Sequence, residues 1–162
     1  YGDHRDLHRV DRRQRQMCIR DRDNQPIICF IDTNIWLYAF IETDDADKSA
    51  RARALIRASE PVISTQVVNE VCVNLLRRAI FTEEQVSALI ESFYEKYPVI
   101  ELTRSVLLMA SQLRRRYSLS FWDSTVVASA LSANISVLYS EDMQHELIVD
   151  QQLQVLNPFI QR

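Results

Sequence analysis

The sequence predicts an α/β fold, a three-layer sandwich around a central, mostly parallel β-sheet, and two patterns carry that prediction. Short unbroken apolar runs recur along the chain, as strands buried on both faces require, and amphipathic helical periods separate them. At 162 residues with 47% hydrophobic content, the chain has enough material for one domain with a real core. The first strand is Ile27-Ile28-Cys29-Phe30-Ile31, and Pro61 to Ser64, Pro98 to Leu102, Ser136 to Tyr139 and Leu153 to Leu156 repeat the theme. Ile35 to Ile41 is apolar around most of its circumference, so that helix is expected deep in the core or against another subunit. Asp47 to Ser59 carries Ala50, Ala54 and Leu55 on one side, and Thr65 to Ala79 carries Val68, Val71, Cys72, Leu75 and Leu76. Thr82 opens a capping box with Gln85 and leads into Val86, Leu89, Ile90 and Phe93. Thr103 to Arg116 and Phe121 to Ala133 have the same helical period.

Residues 1–24 differ from all that follows. Seven arginines and five aspartates crowd this stretch with few large apolar side chains, too little to offset the entropy of ordering it. It reads as a disordered or non-native tail, leaving residues 25–162 as the folded domain. Net charge is -3, so no global basic field advertises nucleic acid, and any such contact needs local patches. Cys18, Cys29 and Cys72 form no C-x-x-C pair, which suits a reducing compartment. No apolar run approaches the roughly 18 residues of a membrane span. A cytoplasmic protein without a membrane segment is expected.

Glycine excludes whole classes. The only one is Gly2, so residues 25–162 contain neither G-x-G-x-x-G nor a Walker loop, and dinucleotide and P-loop functions fall away. Lys48 and Lys96 are the only lysines and His145 is the only histidine beyond the tail, which disfavours Schiff-base, His-rich zinc and Ser-His-Asp chemistry.

Four acidic positions remain, each at a strand end or on the helix that follows. Asp32 succeeds the first strand in Asp32-Thr33-Asn34, and Asp142 succeeds another in Ser140-Glu141-Asp142. In doubly wound sheets such positions face the ligand crevice, although Asp, Thr and Asn also serve as helix N-caps. Asp123 lies in Ser120-Phe121-Trp122-Asp123, which equally fits an S-x-x-D capping box. Glu70 lies one to two turns into its helix, where a solvated glutamate is the plain alternative. Acids gathered by a fold repel one another, and a bound divalent cation is the usual reason to tolerate that.

Phe30-Ile31-Asp32-Thr33-Asn34-Ile35-Trp36-Leu37-Tyr38, Ser64-Thr65-Gln66-Val67-Val68-Asn69-Glu70, Phe121-Trp122-Asp123-Ser124-Thr125-Val126-Val127-Ala128 and Leu138-Tyr139-Ser140-Glu141-Asp142 follow in that order. Together they resemble a PIN domain, most closely the VapC-type toxin ribonucleases of bacterial toxin–antitoxin pairs. The resemblance spans about residues 27 to 157, so the folded part is read as a PIN-like domain over residues 25–162.

The resemblance implies an acidic cluster of Asp32, Glu70, Asp123 and Asp142 that holds Mg2+ or Mn2+, with Thr33, Asn34 and Ser140 supporting it. It implies an endoribonuclease that leaves 5'-phosphate ends and is restrained by a small antitoxin protein. A homodimer is expected. At Glu146 relatives often place a glycine, which puts the local turn in question. Hard Mg2+ prefers carboxylate oxygen and keeps several waters, so no histidine or lysine base is needed.

RNA would be held by cations near the acids. Arg77, Arg78, Arg114 and Arg115 are the candidates, with Arg51, Arg53, Arg57 and Arg116 behind them, although several close helices where a cation suits the dipole. Trp36 and Trp122 could stack a base but are read first as core or interface. The principal rival is a non-catalytic PIN-like module that binds RNA or protein. A haloacid-dehalogenase-like site would want a second acid at Asn34, and a receiver domain an aspartate where Glu101 stands.

Overall fold

The structure is a computed structural model that describes residues 25–41 and 45–160. The tail of residues 1–24, and Cys18 with it, lies outside the described residues. In chain order the elements are β1 (Ile27–Ile31), α1 (Thr33–Phe40), α2 (Ala46–Ala58), β2 (Ser59–Ser64), α3 (Thr65–Arg77), α4 (Glu83–Lys96) and β3 (Val99–Ile100). There follow α5 (Arg104–Tyr117), α6 (Phe121–Ser132), β4 (Val137–Tyr139), β5 (Ile148–Val149) and β6 (Leu153–Leu156).

The strands form one sheet in the order β3-β2-β1-β4-β6-β5. Every pairing is parallel except β5 with β6. From β1 the chain steps outward through β2 to β3, then returns to place β4 on the other flank of β1. Parallel crossovers are right-handed, so the outward steps lay α1 to α4 on one face, and the return lays α5 and α6 on the other. The contacts agree: α1 packs on α2 and α3, α3 on α4, and α5 on α6. The strand order reverses between β1 and β4, and ligands of open parallel sheets bind beyond the carboxyl ends at such a reversal.

Cys29, Phe30 and Ile31 are fully buried, as a central strand covered on both faces demands. The apolar circumference of α1 is largely used within the chain. Ile35, Trp36, Leu37 and Ile41 are buried, and Trp36 meets Phe93 and Tyr97 edge-on, each at 5.1 Å between ring centres. Burial pushes the thiols of Cys29 and Cys72 upward, so both stay protonated as small core side chains.

Capping follows the sequence closely. Thr82 and Gln85 form the reciprocal box, and Ser64, Thr103 and Ser120 each accept an N–H from the first turn of their helix. The ends of α3 and α6 are Schellman turns. At the first, Ala79 adopts φ 52°, donating to the Leu76 carbonyl while Ile80 donates to Leu75. At the second, Asn134 adopts φ 55° and the same pattern joins Asn134 to Leu131 and Ile135 to Ala130. Glu146 also sits in the left-handed region at φ 63°, which is where a glycine would be at ease.

Two expectations need correction. β3 is only two residues long, because Glu101 to Thr103 already turn toward the N-cap of α5. β5 was not anticipated: its two residues, paired antiparallel at the edge, are too short for any run or alternation to show.

Candidate active site

Asp32 extends the β1–β4 ladder by one residue, its N–H donating to the Tyr139 carbonyl at 3.0 Å. That bond fixes its backbone beside the end of β4. Its side chain, only 7% exposed, accepts the Thr33 N–H on Oδ1 and the Ser140 hydroxyl on Oδ2, each at 2.7 Å. Asp32 is therefore both the N-cap of α1 and a strand-end acid in the crevice. Burial raises its carboxyl from the ordinary 3.8 to about 6; the two hydrogen bonds oppose the rise, and the charges of Glu70 and Asp123 add to it.

Ser140 is fully buried because its N–H continues the β4–β6 ladder to the Leu156 carbonyl. Glu70 lies in the second turn of α3. Its Oε2 accepts the Thr33 hydroxyl at 2.7 Å and its Oε1 the Gln66 amide, so it is a half-buried, oriented carboxylate rather than a solvated one. Asp123 is in the first turn of α6, where its N–H donates to the Ser120 hydroxyl at 3.0 Å. Asp142, on the exposed loop after β4, accepts the Asn34 side-chain amide.

All four acids line one cleft of about 490 Å³, together with Thr33 and Asn34. No lysine, arginine or histidine is among the described residues that line it. Hard oxygen donors without a basic neighbour are the set that a divalent cation selects. The carboxylates do not converge in this arrangement, and among the described residues no three acids close on a common point. The tethers explain why. Thr33 and Gln66 hold Glu70, Asn34 holds Asp142, and each bond is to a neutral donor that a cation can replace by a side-chain rotation. The donor set fits Mg2+ or Mn2+ in chemistry, with that rotation as the condition.

Gln66 and Asn74 were missed in the sequence. They lie four residues either side of Glu70 on α3. Asn74 lines the cleft and donates to the Glu70 carbonyl at 2.8 Å, so the i, i+4 spacing was the available signal. A second missed group braces the loop of Asp142. Glu141 takes an ion pair from Lys48 and the Tyr38 hydroxyl at 2.8 Å, tying the loop to α1 and α2. His145 accepts the Asn157 N–H on Nδ1 at 3.0 Å, a structural role.

The arginines do not line the cleft. Arg77 closes α3 one turn beyond Asn74, with Arg78 as its C-cap, while Arg114, Arg115 and Arg116 close α5. Arg116 pairs with Asp150, and Arg114 lies over the Phe121 ring at 5.7 Å. The two tryptophans separate. Trp36 is core, 2% exposed, whereas Trp122 is 56% exposed and lines the acidic cleft, which removes the core half of its core-or-interface reading.

The PIN domain family model matches residues 29–148. The chain belongs to the PIN domain family. Among solved structures it is similar to a toxin-antitoxin complex from Klebsiella pneumoniae, at 20% identity and TM-score 0.62 over 81% of this chain and 98% of the other. It is similar to VapC20 of Mycobacterium tuberculosis, described as a sarcin-ricin loop cleaving toxin, at 24% identity and TM-score 0.58 over 70% and 89% of the two chains. DNA-bound VapBC from Salmonella typhimurium gives 14% identity and TM-score 0.58 over 82% and 98%. At these identities the likeness is one of fold. A search of curated proteins found no match.

Proposed function

We propose that the chain is a Mg2+- or Mn2+-dependent endoribonuclease, the toxin of a type II toxin–antitoxin pair. The observation that carries this reading is the cleft itself: acids from the end of β1, from α3, from α6 and from the loop after β4 line one space, and no basic side chain is among the described residues that line it. Asp32, Glu70, Asp123 and Asp142 would hold the cation. When bound, it supplies positive charge against a phosphodiester and makes a water a better nucleophile.

The chain's own residues do the positioning. Ser140 and Thr33 fix the Asp32 carboxylate from two sides, and Thr33 and Asn34 hold the side chains of Glu70 and Asp142 at the same cleft. One short segment after β1 thus orients three of the four acids. An anionic cleft repels RNA, so attraction comes from the arginines at the helix ends, among which Arg114 lies over the Phe121 ring that opens α6. RNA as substrate is supported by the likeness to VapC20, described as a sarcin-ricin loop cleaving toxin, and a small antitoxin as partner by the Klebsiella and Salmonella assemblies. A homodimer acting in the cytoplasm completes the proposal.

The cellular test is expression without a partner in a bacterial host. The wild-type chain is expected to arrest growth and Asp32→Ala to leave it unaffected; growth that is equal at matched abundance removes the toxin assignment.

A further inference from the structure

We infer that Phe121 and Trp122 form a stacking platform that seats an unpaired nucleobase beside the scissile phosphate. The inference rests on the nuclease reading and deepens it by naming the residues that seat the base next to the cleaved bond.

Two adjacent aromatic side chains open α6 in full view of solvent, Phe121 at 52% and Trp122 at 56% exposure. Their rings meet edge to face at 5.1 Å, so each braces the other and the pair is pre-organised. The Arg114 guanidinium lies over the Phe121 ring at 5.7 Å, which adds a cation to the aromatic edge. Trp122 lines the same cleft as the four acids, and Asp123 is the next residue along the chain. Consecutive residues thus offer a π-face and a carboxylate, and consecutive groups of a nucleic acid strand offer a base and a phosphate. A base stacked on Trp122 therefore belongs to a nucleotide next to the phosphate at Asp123.

Charge and shape select the occupant. An exposed indole lining a cleft whose acids would hold a cation, with Arg114 over the neighbouring Phe121 ring, suits a strand that carries flat bases on an anionic backbone. A duplex keeps its base faces stacked on one another and cannot present them to the indole. Sequence preference is expected to be weak, because every base has a π-face.

The two tryptophans allow a direct test, since only Trp122 is exposed and Trp36 reports on the core. The full chain carrying Asp142→Asn is mixed with an unstructured RNA oligonucleotide in Mg2+, and with the same RNA annealed to its complement. The single strand is expected to quench the exposed indole emission and the duplex is not. Adding Trp122→Ala should weaken single-strand binding roughly fivefold to 150-fold, while Trp122→Phe, which keeps a π-face, should recover most of the affinity. Trp36 emission checks that each variant remains folded. Single-strand binding with the Trp122 emission unmoved, or with affinity unchanged in Trp122→Ala, overturns the platform and leaves the nuclease reading standing. An emission change that tracks protein concentration rather than RNA also overturns it and assigns the pair to contact between copies of the chain. Absence of both RNA binding and RNA cleavage by the wild-type chain overturns the platform together with the nuclease reading.

Discussion

Replacing Asp32 with asparagine is expected to stabilise the metal-free protein at neutral pH, and the structure sets the size of the effect. In the folded chain this carboxyl titrates near 6 against an ordinary value of 3.8. Between those values the folded state holds a proton that the unfolded state has released. The folded state is thus favoured most below the lower value and loses that advantage as pH rises through the window. By pH 7 the loss from this one group is roughly 3 kcal/mol.

Asparagine keeps the shape and removes the charge. Its single oxygen can accept only one of the two donors now held, Thr33 N–H and the Ser140 hydroxyl, although the hydroxyl can reverse and accept from the new amide. Allowing about 1 kcal/mol for poorer hydrogen bonding, Asp32→Asn should gain about 2 kcal/mol at pH 7 and lose about 0.5 kcal/mol near pH 4. At about 3 to 4 °C per kcal/mol for a domain of this size, that is a rise of about 7 °C in melting temperature at neutral pH. Thermal unfolding of both proteins in EDTA from pH 4 to pH 8 measures it. A difference that stays constant across the range would refute the reasoning, because only a titrating Asp32 gives it a slope. Added Mg2+ should then stabilise the wild-type protein and leave Asp32→Asn nearly unmoved.

Three further outcomes are expected. Ser140→Ala removes a buried donor to Asp32 and should cost about 1.5 to 3 kcal/mol at pH 8 but far less at pH 4, where the carboxyl is protonated; urea titration at both pH values checks it. Ala79→Gly relieves a left-handed alanine in the Schellman turn after α3 and should leave stability unchanged or raise it by up to about 1 kcal/mol, read from the same titration; a loss would contradict the strain assigned to that turn. Arg114→Ala with Arg115→Ala should weaken RNA binding and reduce the slope of its logarithm against salt by about 0.7 for each single-strand phosphate that an arginine no longer neutralises. An unchanged slope would move the phosphate-binding cations elsewhere.

Much of the frame was legible because its signals are local. An unbroken apolar run such as Ile27 to Ile31 has the pattern of a strand in a covered sheet, which holds from Cys29 to Ile31 while Ile28 is exposed, and the acids at Asp32 and Asp142 announce themselves by standing just beyond such runs. What the sequence leaves open is what only the assembled sheet decides. That Ser140 would donate to Asp32 depends on β4 lying against β1, a pairing across more than a hundred residues. Trp122 shows the same limit: an aromatic residue opening an apolar helix reads as core or interface, and its exposure follows from where the start of α6 meets the crevice. β5 escaped because two residues carry no period. Gln66 and Asn74 were within reach, since their spacing from Glu70 places all three along one side of α3.

The central claim is that the four acids act on RNA through a divalent cation, and cleavage by Asp142→Asn tests it most directly. Asparagine at this position alters charge at nearly constant shape, and Asp142 is exposed on its loop, so folding is not at stake. The wild-type protein incubated with RNA should cut in Mg2+ or Mn2+, stop in EDTA and leave 5'-phosphate ends. Asp142→Asn should retain RNA binding and lose about 100-fold to 1000-fold in cleavage rate, the usual effect of deleting one pre-organised electrostatic interaction in an active site. Cutting that persists in EDTA, or proceeds undiminished in Asp142→Asn, would contradict the account.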